Sequence, residues 1–268
     1  MKHLSIIIFI SLFIMTSLTC EEPEPDNLLQ LIGSFQDDNR IEISQKAGET
    51  NIQAYSGDLI IVTVNYDYPA SCYTPTFIEI DSTLFVNEEF IEDNCEGDSE
   101  FFFNVPTPFE IIFNGISSDL YITWGRGYYE FTSLSGDFTV DSLAGLFDVS
   151  STSGNIQLNE VVIENQSTFS SLTGNVEISL AKSPGGNINM SGRSGDLILN
   201  YNDNIIEGYF EFTARKDIGI ISSPYPFDSE EEFTADGIVY MKKSFNIAGE
   251  TPRIILATDS GSVQLKLN

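Results

Sequence analysis

The side chains that most often carry catalysis or bind metals are scarce in this chain of 268 residues. Its one histidine is His3, which lies in a segment that we expect to be removed. The remaining chain would lack the imidazole needed for Ser-His-Asp and Cys-His triads and for His-ligated metals. We therefore expect a protein that is not an enzyme, with no catalytic residue and no metal site.

Carboxylates are abundant, because 40 acidic residues stand against 12 basic ones and give a formal net charge of -28. Such a surface repels phosphates, which excludes nucleic acid as a partner. The densest acids surround Cys95 and are Glu88, Glu89, Glu92, Asp93, Glu96, Asp98 and Glu100. Ca²⁺ takes oxygen ligands of this kind, but the spacing matches neither an EF-hand loop nor a calcium-binding roll. We favour a solvated loop and no cofactor, with Ca²⁺ as the weaker alternative.

A second group of side chains that could bind a ligand lies in the stretch YITWGRGYYEF. It contains the candidate binding residues Trp124, Arg126 and Tyr128. Aromatic rings beside an arginine suit sugar stacking or a protein contact. However, Trp124 has the same strand parity as Leu120 and Ile122, which favours packing in the core over binding.

The N-terminal stretch MKHLSIIIFISLFIMTSLTC predicts an export signal over residues 1–19. It has a short basic start and then an apolar run that is too short for a stable membrane span. It resembles a bacterial lipoprotein signal, which implies that Cys20 is lipidated and holds the chain to a membrane. Ordinary secretion with cleavage near Thr19 is the alternative. The acidic, proline-rich EEPEPDN follows, and we predict a flexible tether over residues 20–39.

Two cysteines, Cys72 and Cys95, remain for the folded part of the chain. An exported protein meets an oxidising compartment, so we predict that they form a disulfide. Closing a loop of about two dozen residues would stabilise the fold by about 3 kcal/mol. Two buried free thiols are the alternative.

The elements that position these groups follow from a repeat. A Ser/Thr-Gly-Asp/Asn motif, followed by apolar-x-apolar, recurs at Gly136, Gly154, Gly174, Gly195 and Gly261. The first three gaps are 18, 20 and 21 residues. The last interval has room for about three repeats, and Lys216 and Gly237 occupy the glycine position of two weaker copies in it. A period near 20 residues predicts stacked units.

Apolar residues recur at fixed distances from these glycines. They stand five places before each glycine and two and four places after it: Phe131, Val149, Phe169, Met190, Leu256, Phe138, Ile156, Val176, Leu197, Val263, Val140, Leu158, Ile178, Leu199 and Leu265. The alternation with intervening polar residues predicts strands with one buried face. We expect each glycine to form a corner with positive φ, where the flanking Ser/Thr and Asp/Asn bond to the backbone.

The repeat period, the recurring apolar positions and the glycine corners together predict an all-β fold. The predicted fold is a parallel β-solenoid of the single-stranded β-helix type with coils of about 18–24 residues. An antiparallel meander is the less favoured alternative. We predict irregular β coils and a cap with the disulfide over residues 40–116, for which a small separate β domain is the alternative. The repeat solenoid would occupy residues 117–268 and end on an uncovered strand, whose edge Lys266 or a partner would protect.

These corners resemble those of the bacterial putative-adhesin family, whose members carry Ser-Gly-Asp/Asn-apolar-x-apolar at about this spacing behind secretion or lipoprotein signals. The resemblance covers residues 117–268 well and residues 40–116 loosely. It implies a lipid-anchored protein of the bacterial outer membrane or cell surface that binds a surface glycan or protein of unknown identity. No catalytic residues come with it.

Two other functions are weighed against this expectation. One is a structural envelope protein that faces the periplasm. The minor one is a polysaccharide-active β-helix enzyme that uses Arg126, Arg193 and Arg215. Short coils leave little room for catalytic loops, and an anionic surface would repel an anionic polymer. Fold analogy alone does not carry this activity.

Overall fold

The computed structural model describes residues 27–32, 40–92 and 94–268, with side chains from residue 40 onward. The predicted export signal, Cys20 and most of the predicted tether lie outside the described residues, as does Asp93. In the described part every regular element is a β-strand, so the all-β class is confirmed. That part contains no helix long and apolar enough to cross a membrane.

Many of the strands alternate buried and more exposed residues, for example β6 and β14, as their period-two patterns predict. In chain order they are β1 (Asn27–Ile32), β2 (Arg40–Tyr55), β3 (Ile61–Tyr66), β4 (Tyr73–Ile80), β5 (Thr83–Phe90), β6 (Ser99–Pro106), β7 (Phe109–Ser133), β8 (Phe138–Ser151), β9 (Ile156–Ile163), β10 (Ser167–Ser171), β11 (Val176–Leu180), β12 (Ile188–Gly192), β13 (Leu197–Asn200), β14 (Gly208–Arg215), β15 (Ile220–Ser222), β16 (Ser229–Ala235), β17 (Ile238–Ile247), β18 (Arg253–Thr258) and β19 (Ser262–Lys266).

Two ladders of parallel strands carry the repeat. One runs through β7, β8, β9, β11, β13 and β19, and places Phe138 opposite Ile156 and Val176 opposite Leu197. The other runs from β7 through β8, β10, β12 and β18 to β14. The register follows the gaps between the motif glycines, and the fold is compatible with a β-solenoid.

The core lies under these ladders. All fifteen apolar positions predicted from the repeat are at most 3 % exposed, so their prediction is confirmed. They belong to one hydrophobic cluster that also takes in the apolar residues of β2, β3, β5 and β6. Stacked rings line part of it, for example Phe131 on Phe138 at 5.0 Å between ring centroids.

The prediction of weaker repeats between Gly195 and Gly261 is confirmed for one copy and wrong for the other. Strands β14 and β15, on either side of Lys216, pair in parallel with β18 and β19 and form a further coil, whereas Gly237 lies in no parallel coil. Strand β18 pairs directly with β12, and β19 pairs directly with β13, so these two glycines belong to adjacent repeats. The intervening chain forms β14, which pairs with the far side of β18, and an antiparallel hairpin of β16 and β17. Asp236 and Gly237 are the hairpin turn, with φ of 51° and 77°. Asp-Gly with two positive φ values is a strong hairpin signal.

The last strand is covered, contrary to expectation. Strand β15 pairs in parallel with β19 on the side away from β13, placing Ile221 opposite Val263. Neither Lys266 nor a partner is therefore needed along that part of the edge.

The N-terminal part mixes pairing modes. Strand β2 pairs in parallel with β7 and also with β5 and β6, whereas β1 with β3, β3 with β6, and β4 with β5 pair antiparallel. The long β2–β7 ladder joins this part to the repeats through a continuous sheet. Strand β1 lies within the range predicted as a flexible tether, and its pairing with β3 makes residues 27–32 part of the sheet. The other domain bounds stay a prediction.

Candidate functional site

The motif glycines are required by close backbone approach. A Cβ atom on Gly136 would lie 1.7 Å from the carbonyl oxygen of Ser118, and one on Gly174 would lie 1.9 Å from that of Gly154. None of the five motif glycines has a positive φ, so the predicted left-handed corner is wrong. The physical reason for glycine is the absence of space for any side chain between neighbouring repeats.

A buried hydroxyl stands three places before the glycine in several repeats. Ser171 donates to the carbonyl oxygen of Gly154 at 2.7 Å and accepts from the amide of Gly174 at 2.9 Å. Ser151 makes the same pair of contacts one repeat earlier, at 3.5 and 2.8 Å. Each of these two hydroxyls thus bridges the backbone of one corner and that of the corner one repeat earlier.

The Asp/Asn position after the glycine forms a second chain of hydrogen bonds. The side-chain oxygen of each residue accepts the backbone amide of the equivalent residue one repeat later, at 2.7–3.1 Å. The chain runs through Asp119, Asp137, Asn155, Asn175, Asp196 and Ser262. Ser262 also donates its hydroxyl to Asp196 at 2.6 Å, and this bond and its amide bond lower the pKa of that carboxyl. The predicted bonding to the backbone is thus made across repeats.

These bonds give the motif corner a structural role, because its hydroxyl, amide and carboxylate groups are used within the stack. A different corner carries the aromatic group. Trp124 lies where β7 turns between its contacts with the two ladders, and its side chain is 55 % exposed. The expectation that it packs in the core is wrong.

The backbone at Trp124 explains this outcome. Its φ is 56°, a left-handed conformation that bulky residues rarely adopt. Ser142 and Glu160, at the equivalent positions of the next two repeats, have φ of 58° and 50°. The turn breaks the alternation of buried and exposed side chains. Trp124, two residues after the buried Ile122, therefore does not face the core as the alternation predicted.

Arg126 and Tyr128 follow Trp124 on the same strand. Arg126 is 67 % exposed and its Nε lies 2.9 Å from Oε2 of Glu164. Arg126 pairs with Ala144 and Ala144 with Val162, so this contact reaches across two repeats. An exposed pair of this kind contributes little stability but orients the guanidinium.

Tyr128 is half-buried, and its hydroxyl donates to Glu130 at 2.9 Å. Burial and this bond to a carboxylate raise its pKa to about 12, so the phenol is neutral at any physiological pH. Trp124, Arg126 and Tyr128 are thus all at least partly exposed within one short stretch of β7. We call these three residues the Trp124 corner.

Two glycines that the sequence interpretation did not single out also support this corner. A Cβ on Gly127 would lie 1.6 Å from the carbonyl oxygen of Phe109, and one on Gly145 would lie 1.9 Å from that of Gly127. Their spacing of 18 residues equals the first repeat gap and could have revealed them. They form a second stack of closely approaching backbones.

Cys72 and Cys95 form the predicted disulfide, with Cα atoms 5.7 Å apart. Of the acids around it, Glu88 is not simply solvated. Its carboxylate accepts from the hydroxyls of Ser99 at 2.6 Å and Tyr73 at 2.9 Å and from the amide of Lys46 at 2.6 Å. Burial nevertheless raises its pKa. Across the described residues, no group of three or more His, Cys, Asp or Glu side chains could hold a metal ion.

Comparison with known proteins finds one family model that is similar to part of the repeat. Residues 110–220 match the family model described as Toastrack DUF4097. This stretch contains the Trp124 corner and four of the five motif glycines. No curated protein matches the chain.

Several solved structures are similar over most of the chain at low identity. A putative adhesin from Bacteroides fragilis NCTC 9343 is 12 % identical, with a TM-score of 0.47 over 90 % of this chain and 98 % of that one. A putative adhesin from Parabacteroides distasonis ATCC 8503 is 11 % identical, with a TM-score of 0.42 over the same shares. A putative lipid binding protein from that strain is 10 % identical, with a TM-score of 0.31 over 90 % and 98 %.

Proposed function

We propose that this chain is a non-enzymatic lipoprotein of the bacterial envelope, held by lipid on Cys20, that binds a glycan or protein at the cell surface. In this proposal the parallel ladders are the coils of a β-solenoid, and the acidic tether holds them away from the membrane. The Trp124 corner is the contact surface. The protein needs no cofactor for this task.

One observation carries the proposal. The only tryptophan of the chain is 55 % exposed and sits at a left-handed backbone position, where a smaller residue would be less strained. An exposed indole is also costly to keep in water, since burying an aromatic side chain is favourable. Retaining a large apolar ring at such a position is expected where the ring contacts a ligand.

The scaffold supports a binding role for the ring. Strand β7 pairs with β2 as far as Thr123 and with β8 from Leu120 to Ser133, so the chain on both sides of Trp124 is held in the sheet. Arg126, two residues further along β7, is oriented by Glu164. A rigid aromatic with an adjacent guanidinium binds with little loss of conformational entropy.

Protease treatment of intact cells tests the location on which this proposal depends. The C-terminal repeats are followed with an antibody, and a periplasmic protein serves as the marker of membrane integrity. Digestion of the repeats with an intact marker is the expected result. Digestion only after rupture of the outer membrane would overturn the proposal and favour a structural protein of the periplasm.

Attachment of intact cells to a mucin-coated surface tests the contact residue. Trp124→Asn should reduce attachment about tenfold, because asparagine tolerates the left-handed backbone but removes the ring. Leu134→Asn is the matched control, since Leu134 is 56 % exposed and lies at the motif corner. Equal attachment by both variants would reject the Trp124 corner as the contact surface.

A further inference from the structure

A second cluster of polar and aromatic groups lies at the far end of the sheet, away from the Trp124 corner. An open pocket is formed there where β14 pairs with β18 on one side and β17 on the other. Tyr209, Ser244 and Arg253 line it, together with Asp228, Asn246 and Glu250 from the adjoining loops and strand. Neither the repeat nor the Trp124 corner requires these side chains.

Arg253 is the donor of this pocket. Its guanidinium lies over the ring of Tyr209, 5.1 Å from the centroid. No described carboxylate forms an ion pair with it, although the chain has 40 acidic residues. The ring holds the planar guanidinium at the pocket while its N–H groups are left without a partner among the described residues.

The acceptors stand on the neighbouring strand and loops. Oδ2 of Asp228 accepts the backbone amide of Asn246 at 2.9 Å, which leaves Oδ1 without a described partner. Asn246 accepts from the amide of Gly249 at 3.3 Å through its side-chain oxygen, so its NH₂ group is available. Glu250 is exposed and adds a second carboxylate. Unused donors and acceptors therefore converge on one small space.

We propose that this pocket, here called the Arg253 pocket, binds a neutral saccharide unit. Vicinal hydroxyl groups both donate and accept, so they can bond to a carboxylate and a guanidinium at the same time. The free NH₂ group of Asn246 and the hydroxyl of Ser244, which also bonds to Tyr209, extend the same pattern.

The charges around the pocket select against charged sugars. Asp228 and Glu250 line it, and Glu211 lies behind it, where it accepts the Tyr209 hydroxyl at 2.9 Å. These three carboxylates oppose an anionic sugar. Arg253 opposes an ammonium group placed beside it, and the comparison with glucosamine tests this repulsion against the attraction of the carboxylates. A neutral, hydroxyl-rich ring meets neither repulsion.

The test is a titration of the purified full chain, followed by saturation-transfer NMR. The probes are methyl α-mannopyranoside and methyl β-galactopyranoside, with glucuronic acid and glucosamine as charged comparisons. At least one neutral glycoside should bind. Asp228→Asn and Arg253→Lys should each weaken that binding about tenfold or more, since each keeps the shape but removes a charged or forked contact.

Arg193→Lys is the matched control, because Arg193 is another exposed arginine with no ion pair among the described residues. It should leave saccharide binding unchanged. Absence of binding by both neutral glycosides, preference for a charged sugar, or equal binding by all variants would each overturn the proposal. Because the assay uses purified protein, its failure leaves the protease and attachment results on intact cells unaffected.

Discussion

A Cβ atom on Gly154 would lie 1.8 Å from the carbonyl oxygen of Gly136, one repeat earlier. The relation recurs up the stack, at 1.9 Å for Gly174 over Gly154 and 2.0 Å for Gly195 over Gly174. Gly261 repeats it over Gly195 at 1.9 Å, even though 65 residues lie between them in the chain. The corner is thus defined by contact between backbones.

Substitution of such a glycine should be severe. We expect Gly154→Ala to lower the free energy of unfolding by about 3 kcal/mol or more, because the backbones of two repeats would have to separate. Urea unfolding followed by far-UV circular dichroism measures the change. Gly192→Ala is the control, since its Cβ would lie 3.3 Å from the nearest atom, and it should cost about 1 kcal/mol or less. Equal losses in the two variants would contradict the stacking argument.

The buried hydroxyl of Ser171 should also be measurable. Ser171→Ala leaves the Gly154 carbonyl and the Gly174 amide without their shared partner, and we expect a loss of about 2 kcal/mol. Ser170→Ala, at the adjacent outward-facing position, should change stability by less than about 0.5 kcal/mol. Hydrogen exchange of the Gly174 amide should be faster in Ser171→Ala alone. A loss no larger than that of the control would show that the hydroxyl bridge is not stabilising.

Much of the fold could be predicted because one physical rule repeats in the sequence. Phe138 and Ile156 are both apolar because both are buried beneath a parallel ladder. Such positions recur at a fixed distance from each motif glycine, so they can be recognised in the sequence. The hairpin of β16 and β17 was not predicted, because it does not follow the repeat. Gly237 fell at the repeat spacing by coincidence, while its Asp-Gly turn belongs to an antiparallel hairpin inserted between adjacent repeats. A spacing alone does not distinguish the two uses of glycine.

The candidate site was predicted by residue type but not by orientation. Trp124, Tyr128 and Arg126 were grouped from their order in the chain, and the structure places all three on β7 with at least partial exposure. The direction of Trp124 was missed because parity holds only while a strand continues, and φ of 56° ends that continuity. The Arg253 pocket could not be found from local sequence, since Tyr209, Asp228 and Arg253 meet only through the pairing of three strands.

Asp196 should make stability depend on acid pH. Hydrogen bonds from the hydroxyl and amide of Ser262 lower its pKa, so the folded state favours the ionised carboxyl. The resulting stabilisation is complete above about pH 4, the ordinary carboxyl range, and is lost as pH falls through the lowered pKa.

The comparison that isolates this effect is Asp196→Asn, because asparagine already serves at the equivalent Asn155 and Asn175. The variant should fold normally and be at most slightly less stable at pH 7. The difference in unfolding free energy between wild type and variant should shrink below about pH 4. Urea titrations between pH 7 and pH 2.5 measure it. A difference that stays constant over this range would refute the assignment.

Glu88 should show the opposite dependence. Burial raises its pKa above the ordinary value, despite the bonds from Ser99, Lys46 and Tyr73 that favour the ionised form. A carboxyl with a raised folded-state pKa contributes stability that is complete below about pH 4 and is lost as pH rises through the folded-state pKa. The ionised group at neutral pH therefore carries a desolvation cost that its hydrogen bonds only partly offset.

Glu88→Gln removes that charge and keeps an oxygen able to accept from Ser99 and Tyr73. The free energy of unfolding of the wild type, compared with that of this variant, should be highest near pH 4 and should fall as pH rises. At pH 7 the variant should be at least as stable as the wild type. Glu89→Gln is the matched control for the change in net charge, because Glu89 is exposed on the same strand. Urea unfolding from pH 4 to pH 8 with the disulfide intact provides the measurement. A wild type that gains stability over Glu88→Gln with rising pH would mean that the hydrogen bonds outweigh burial at this carboxyl.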